Sequence, residues 1–128
     1  MPSPVVLDSS AILAVFLNEP GSDRIIPILQ DALLSTVNVV EVHTRMIDLG
    51  ASSEHVWSRI QSLQCEICFF SDQQARMAAD LRTITRPYGL SLGDRACLAL
   101  AVDRKATVYT TDKVWKNLEL GIRIEVIR

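Results

Sequence analysis

Val5-Val6-Leu7-Asp8-Ser9-Ser10 runs three large apolar residues into an aspartate and two hydroxyls, and the apolar segment Ala11–Leu17 follows at once. The first three residues read as a short buried strand. Ser9 or Ser10 can cap a helix that begins just after them. Asp8 then stands at the carboxyl end of a strand and faces a helix N-terminus, which is where open α/β sheets bind ligands. A capping or turn role explains one such carboxylate equally well. The deciding question is whether other carboxylates reach the same place.

Outward from this stretch, Asn18-Glu19-Pro20-Gly21-Ser22 breaks the chain. A second helix is predicted from Asp23 to about Asp31, with Pro27 suggesting a start at Ile26. Leu33–Thr36 reads as a strand. In Val37–His43 the β-branched residues favour a strand, but Val39, Val42, Met46 and Leu49 recur at helical intervals. Asn38 and Glu41 also have capping-box form. The spacing therefore predicts a helix from Asn38 to Leu49, ended by Gly50. A helix over Glu54–Leu63 should turn Val56, Trp57 and Ile60 inward. Cys65–Phe70 reads as a strand, and Ser71 caps a helix with Met77, Ala78, Leu81 and Ile84 on one face.

Ser91-Leu92-Gly93-Asp94 again has capping-box form. It leads into Arg95–Val102, apolar nearly all round, so this helix is central and buried. Thr107–Thr110 is a strand, Thr111-Asp112 a second strand-to-helix junction, Val114–Leu118 a short helix and Ile122–Val126 an alternating last strand. Trp115 and Leu118 suit the core; exposed, they would supply a dimer contact. The order β-α-α-β-α-α-β-α-α-β-α-β predicts an α/β fold, a mainly parallel sheet with helices on both faces. With 128 residues and no linker or repeat, the chain reads as one domain over 1–128.

Composition excludes several classes. At 48% hydrophobic and 22% charged the chain is globular, not disordered. No apolar run reaches the roughly 18 residues of a membrane span, and Met1-Pro2-Ser3-Pro4 lacks the basic start of a signal peptide. The expectation is a cytoplasmic protein. Cys65, Cys68 and Cys97 do not make a disulfide framework. The C-x-x-C pair lies on a predicted strand, where residues three apart face opposite ways, so all three read as buried structural thiols. A net charge of −2 is no footprint for nucleic acid and argues against a simple DNA-binding module.

Asp8, Glu41, Asp94 and Asp112 share one setting, each at or near a helix start on the carboxyl rim of a parallel sheet. Acids are welcome in first turns for about 0.3–1 kcal/mol each, so any one alone could be a cap. Asp23, Glu54 and Asp72 are equally good first-turn acids beside Ser22, Ser53 and Ser71, so capping does not select the four. Their apolar flanks do: Leu7, Val40 and Val42, and Leu92. Half-buried carboxylates repel unless a cation joins them. An oxygen-only ligand set suits Mg²⁺ or Mn²⁺. Ser9 and Thr110 are hydroxyls within reach of the same site, as supports or phosphate contacts, though backbone capping would also employ them. His43 and His55 fall on helices away from the acids.

Val-Val-Leu-Asp8-Ser-Ser-Ala, Asn-Val-Val-Glu41-Val, Ser-Leu-Gly-Asp94-Arg-Ala-Cys-Leu-Ala-Leu-Ala and Thr-Thr-Asp112-Lys-Val-Trp together resemble PIN-domain ribonucleases. The chain length and the Asp94 segment resemble VapC-type toxins of toxin–antitoxin pairs. The resemblance spans essentially the whole chain. It implies a three-layer sandwich with a five-stranded sheet ordered 3-2-1-4-5, Asp8 on the central strand. It further implies a Mg²⁺- or Mn²⁺-dependent endoribonuclease, usually a homodimer, held inactive by a cognate antitoxin protein. Asp8 and Asp94 would bind metal directly, Glu41 would be a ligand or base, and Asp112 would position water or a second metal. The RNA-contacting residues are not legible: Arg45, Arg86, Arg95, Arg104, Lys113 and Lys116 could line the rim or be solvated faces. Two other classes remain open. An aspartyl phosphotransfer or receiver-type protein also begins with an Asp after a buried strand, and a catalytically dead PIN-like regulator would keep the fold alone.

Overall fold

In the computed structural model, which describes residues 4–128, Val5–Leu7 form β1 at the centre of the sheet. Val5 pairs with Ala32 on one side and Thr107 on the other, both in parallel. The remaining strands are β2 Ala32–Ser35, β3 Glu66–Cys68, β4 Thr107–Thr110 and β5 Ile124–Val126. All four pairings are parallel and the order is β3-β2-β1-β4-β5. Receiver-type proteins place the third strand on the other side of the first, so this order removes the receiver reading. The helices are α1 Ser9–Phe16, α2 Ser22–Ile25, α3 Thr36–Asp48, α4 Ser53–Ser62, α5 Asp72–Thr85 and α6 Leu92–Arg104.

The two-residue period of β1 divides the interior. Leu7 points into one core with Leu34, Ile12 of α1, Ile25 of α2, Val42 of α3 and Val56 of α4. Val6 points into the other with Leu33, Val108, Leu81 of α5 and Leu98 of α6. The product is a three-layer sandwich. Six consecutive residues of α6, Ala96–Ala101, are buried. Small side chains let this helix lie against the sheet while α5 covers its back.

Several local expectations are corrected. Helix α3 starts two residues early, because Ser35, not Asn38, caps it by accepting from the Val37 amide at 3.2 Å. Glu41 therefore sits well inside the helix, beyond its first turn, and no helix-end explanation applies to it. Pro27 opens a 3₁₀ segment, Ile26–Asp31, in place of continuous helix. β3 ends at Cys68, leaving Phe69 outside the strand and 84% exposed. Trp57 faces out and stacks on His43 with ring centroids 6.5 Å apart. Ile84 is also exposed. Trp115 is wholly buried and Leu118 nearly so, so both are core residues, not contacts for another chain. Among the described residues no helix is long and apolar enough to cross a membrane, and the three cysteines are free.

Candidate active site

Strand β1 delivers Asp8 to the rim. Its amide donates to the Tyr109 carbonyl of β4 at 3.0 Å, and its own carbonyl accepts the first amides of α1. Asp8 occupies the N-cap position, yet its side chain makes no capping bond. The carboxylate instead turns inward, 3% exposed. Oδ2 accepts from Ser10 Oγ at 2.7 Å and from Thr110 Oγ1 at 3.0 Å. Oδ1 is buried with no partner. Burial pushes the Asp8 carboxyl up to about 6; the two hydroxyls pull it back, and the negative charges of Asp94 and Glu41 push it further up.

Glu41 comes from α3. Its Oε1 accepts from Ser9 Oγ at 2.9 Å and Asn38 Nδ2 at 2.8 Å. Asp94 comes from the start of α6, in the capping box that its sequence predicts. Its Oδ2 accepts the Ser91 amide at 2.9 Å while Ser91 Oγ accepts the Asp94 amide at 3.2 Å. Burial raises the Asp94 carboxyl above its ordinary range; the Ser91 bonds lower it, and Glu41 and Asp112 raise it again. Asp112 follows β4. It is exposed, and its Oδ1 caps the following 3₁₀ turn by accepting the Val114 amide at 3.0 Å.

The four acids thus ring one end of the sheet, Asp8 next to Asp94 and Glu41, and Asp94 next to Asp112. They do not close into one tight cluster. Among the described residues no three Asp, Glu, His or Cys side chains stand close enough to hold an ion between them. The shared rim setting thus brings the four acids to one end of the sheet without closing them around a single point. The donor set still fits a hard divalent cation. Every candidate ligand is a carboxylate oxygen, Asp8 Oδ1 is a buried acceptor that lacks a donor, and burial among like charges disfavours these carboxylates as bare anions.

Two supports were expected, and both hydroxyls face the acids. Ser9 holds Glu41. Thr110 donates to Asp8 and accepts the Asp112 amide at 3.1 Å, so it joins the buried acid to the exposed one. Sequence reasoning missed Ser10, which binds Asp8 and also accepts the Thr111 amide at 3.0 Å. It also misses the role of Asn38, whose spacing of three from Glu41 has the form of a cap. Of the basic residues offered for the rim, Arg95 turns to the Ala78 carbonyl of α5 at 2.9 Å and Arg104 pairs with Glu66 at 3.6 Å. His43 bonds Ser53 at 2.9 Å, on the outer α3–α4 surface.

Residues 5–120 match the family model of the PIN domain. Among solved structures, a chain of the DNA-bound VapBC complex of Salmonella typhimurium superposes with a TM-score of 0.75 at 16% identity, covering 99% of this chain and 100% of that one. A chain of VapBC-5 from Mycobacterium tuberculosis gives 0.61 at 24% identity, covering 99% of each. FitAcB of Neisseria gonorrhoeae gives 0.70 at 19% identity, covering 94% of this chain and 96% of that one. At these identities the likeness speaks for the fold. No curated protein matches the chain.

Proposed function

The chain belongs to the PIN domain family, and from that premise we propose that it is a divalent-metal-dependent endoribonuclease, the toxin of a toxin–antitoxin pair. PIN domains are generally nucleases. The observation that carries the reading here is the Asp8 carboxylate, turned away from the helix it could cap and left with one buried oxygen unbonded. An enzyme that binds Mg²⁺ or Mn²⁺ has a use for that oxygen; a purely structural N-cap does not.

Asp8 and Asp94 would hold the ion, with Glu41 as a third ligand or as base. Bound there, a divalent cation supplies charge stabilisation for hydrolysis of an RNA phosphodiester. The other groups prepare the carboxylates. Ser10 and Thr110 fix Asp8 Oδ2 and so set the direction of Oδ1. Ser91 ties down one Asp94 oxygen and leaves the other open. Asp112, exposed two residues beyond β4, would orient water or a second ion.

The partners in this reading are RNA, a second copy of the chain and a cognate antitoxin. The similar structures are named as VapBC and FitAB assemblies, which supports a protein partner. An antitoxin that covers an acidic rim would do so with a basic segment. The site of action would be the cytoplasm, where RNA is available.

The test is to incubate the purified protein with RNA and Mg²⁺ or Mn²⁺ and to sequence the new ends, with Asp8→Ala as control. Internal cuts that need metal and vanish in the variant are expected. Identical ends from both proteins would overturn the nuclease reading. Harmless expression without a short neighbouring reading frame would overturn the toxin assignment alone.

A further inference from the structure

Asn38 is fully buried on α3, and its amide nitrogen does two things at once. It donates to Glu41 Oε1 at 2.8 Å and to the Gly93 carbonyl of α6 at 3.1 Å. Both targets are acceptors, so the amide cannot be turned round: its oxygen would then face two oxygens. Asn38 Oδ1 is left buried without a partner. A buried polar atom with no partner is unfavourable, and an apolar side chain of the same shape would avoid it. What the amide gains is a fixed Glu41.

Gly93 completes the arrangement. A methyl group on its Cα would overlap all three terminal atoms of the Glu41 carboxyl group. Glu41 reaches this spot only because α6 presents a residue without a side chain, one position before Asp94. Ser9 Oγ, from the start of α1, adds its bond to the same Oε1 at 2.9 Å. Three helices therefore converge on one carboxylate. They hold Oε1 and leave Oε2 with no donor among the described residues.

We propose that Asn38 and Gly93 form a seat for Glu41, with Asn38 a positioning residue that holds the Glu41 carboxylate beside Asp8 and Asp94, whose carboxyls feel its charge, and so tightens divalent-cation binding. The inference deepens the metal-dependent reading above and rests on it. Asn38 has no exposed surface, so its effect passes through Glu41.

Asn38→Leu tests it. Mn²⁺ titration by calorimetry should show affinity lowered about 10- to 100-fold, the range typical of partners that orient metal ligands. The metal-free melting temperature does not discriminate, because the variant removes an unpaired oxygen and two donated bonds together. Side-chain couplings of Glu41 in the metal-free protein, measured by NMR, should change from one rotamer to an average. A packing role alone predicts unaltered Mn²⁺ affinity and an unaltered Glu41 rotamer. Should Asn38→Leu fail to fold, Asn38→Ser shortens the side chain out of reach of Oε1 and Ser9→Ala removes the other donor to it, and the same affinity loss is expected. Wild-type affinity and an unchanged Glu41 rotamer in a folded variant would overturn the seat. Wild-type protein that binds no Mn²⁺ would instead overturn the metal reading; the metal-free rotamer measurement keeps the two failures apart.

Discussion

Thr110 Oγ1 lies 3.0 Å from Asp8 Oδ2 and 3.1 Å from the Asp112 amide. One hydroxyl thereby donates to the buried acid and accepts from the backbone of the exposed one. Thr110 is itself fully buried. Thr110→Val, nearly isosteric, should leave that amide without its acceptor and cost about 1–3 kcal/mol. The Thr110 bond also pulls the Asp8 carboxyl down, so its loss should move the Asp8 titration above 6. Denaturant unfolding and a carboxyl-carbon NMR titration read the two effects. An unmoved Asp8 titration would show that the hydroxyl does not engage the acid in solution.

Without metal, the protein should lose stability as pH rises through Asp8. The folded carboxyl titrates near 6 against an ordinary 3.8, so between these values the folded state holds a proton that the unfolded state has released. The Asp8 contribution is then intact below pH 4, falls between about 4 and 6, and is lost above. At 1.36 kcal/mol per pKa unit the loss is about 3 kcal/mol by pH 7.5. Asp94 shifts in the same direction. Glu125, lowered by Arg123 and Arg24, works the other way, so the comparison must be with Asp8→Asn. The gap between wild type and variant should widen in the variant's favour from pH 4.5 to 7.5. A constant gap would refute the buried-acid account.

Asp94 caps its helix and also feels Glu41 and Asp112. Asn at this position keeps the oxygen that accepts the Ser91 amide but removes the charge. Asp94→Asn should therefore melt at the same temperature as wild type, or higher, in metal-free buffer at neutral pH. Wild-type protein should gain about 2.7 kcal/mol from Mn²⁺ at a hundredfold excess over its dissociation constant; the variant should gain much less, and RNA cleavage should fall by orders of magnitude. A variant that melts lower without metal and still cuts RNA normally would leave Asp94 as a cap only.

Trp115 follows β4 and fills the core under α6 with no exposed surface. Trp115→Ala should cost about 3–5 kcal/mol, a large share of the roughly 5–15 kcal/mol that holds a domain together. Urea unfolding monitored by circular dichroism checks this. A small stability loss accompanied by dissociation of an oligomer would return Trp115 to the surface role.

The periodicities of 2 and 3.6 residues, written in Val5–Leu7, the α3 spacing and the all-apolar α6, were enough to specify strand and helix order, the two-faced sheet and the burial of α6. They also placed Asp8, Glu41, Asp94 and Asp112 on one rim, because parallel strands send all their carboxyl ends the same way. Local signals failed where two meanings share one spacing. Asn38 and Glu41 stand three apart, which serves a capping box or two side chains on one helix face, and only the position of Ser35 decides between them. The seat on Gly93, the Thr110 bridge and the unbonded oxygen of Asp8 could not be read in one dimension. Each joins residues 32 to 102 positions apart or depends on a donor that fails to arrive, and such distances are set by how α1, α3 and α6 pack around the end of β1.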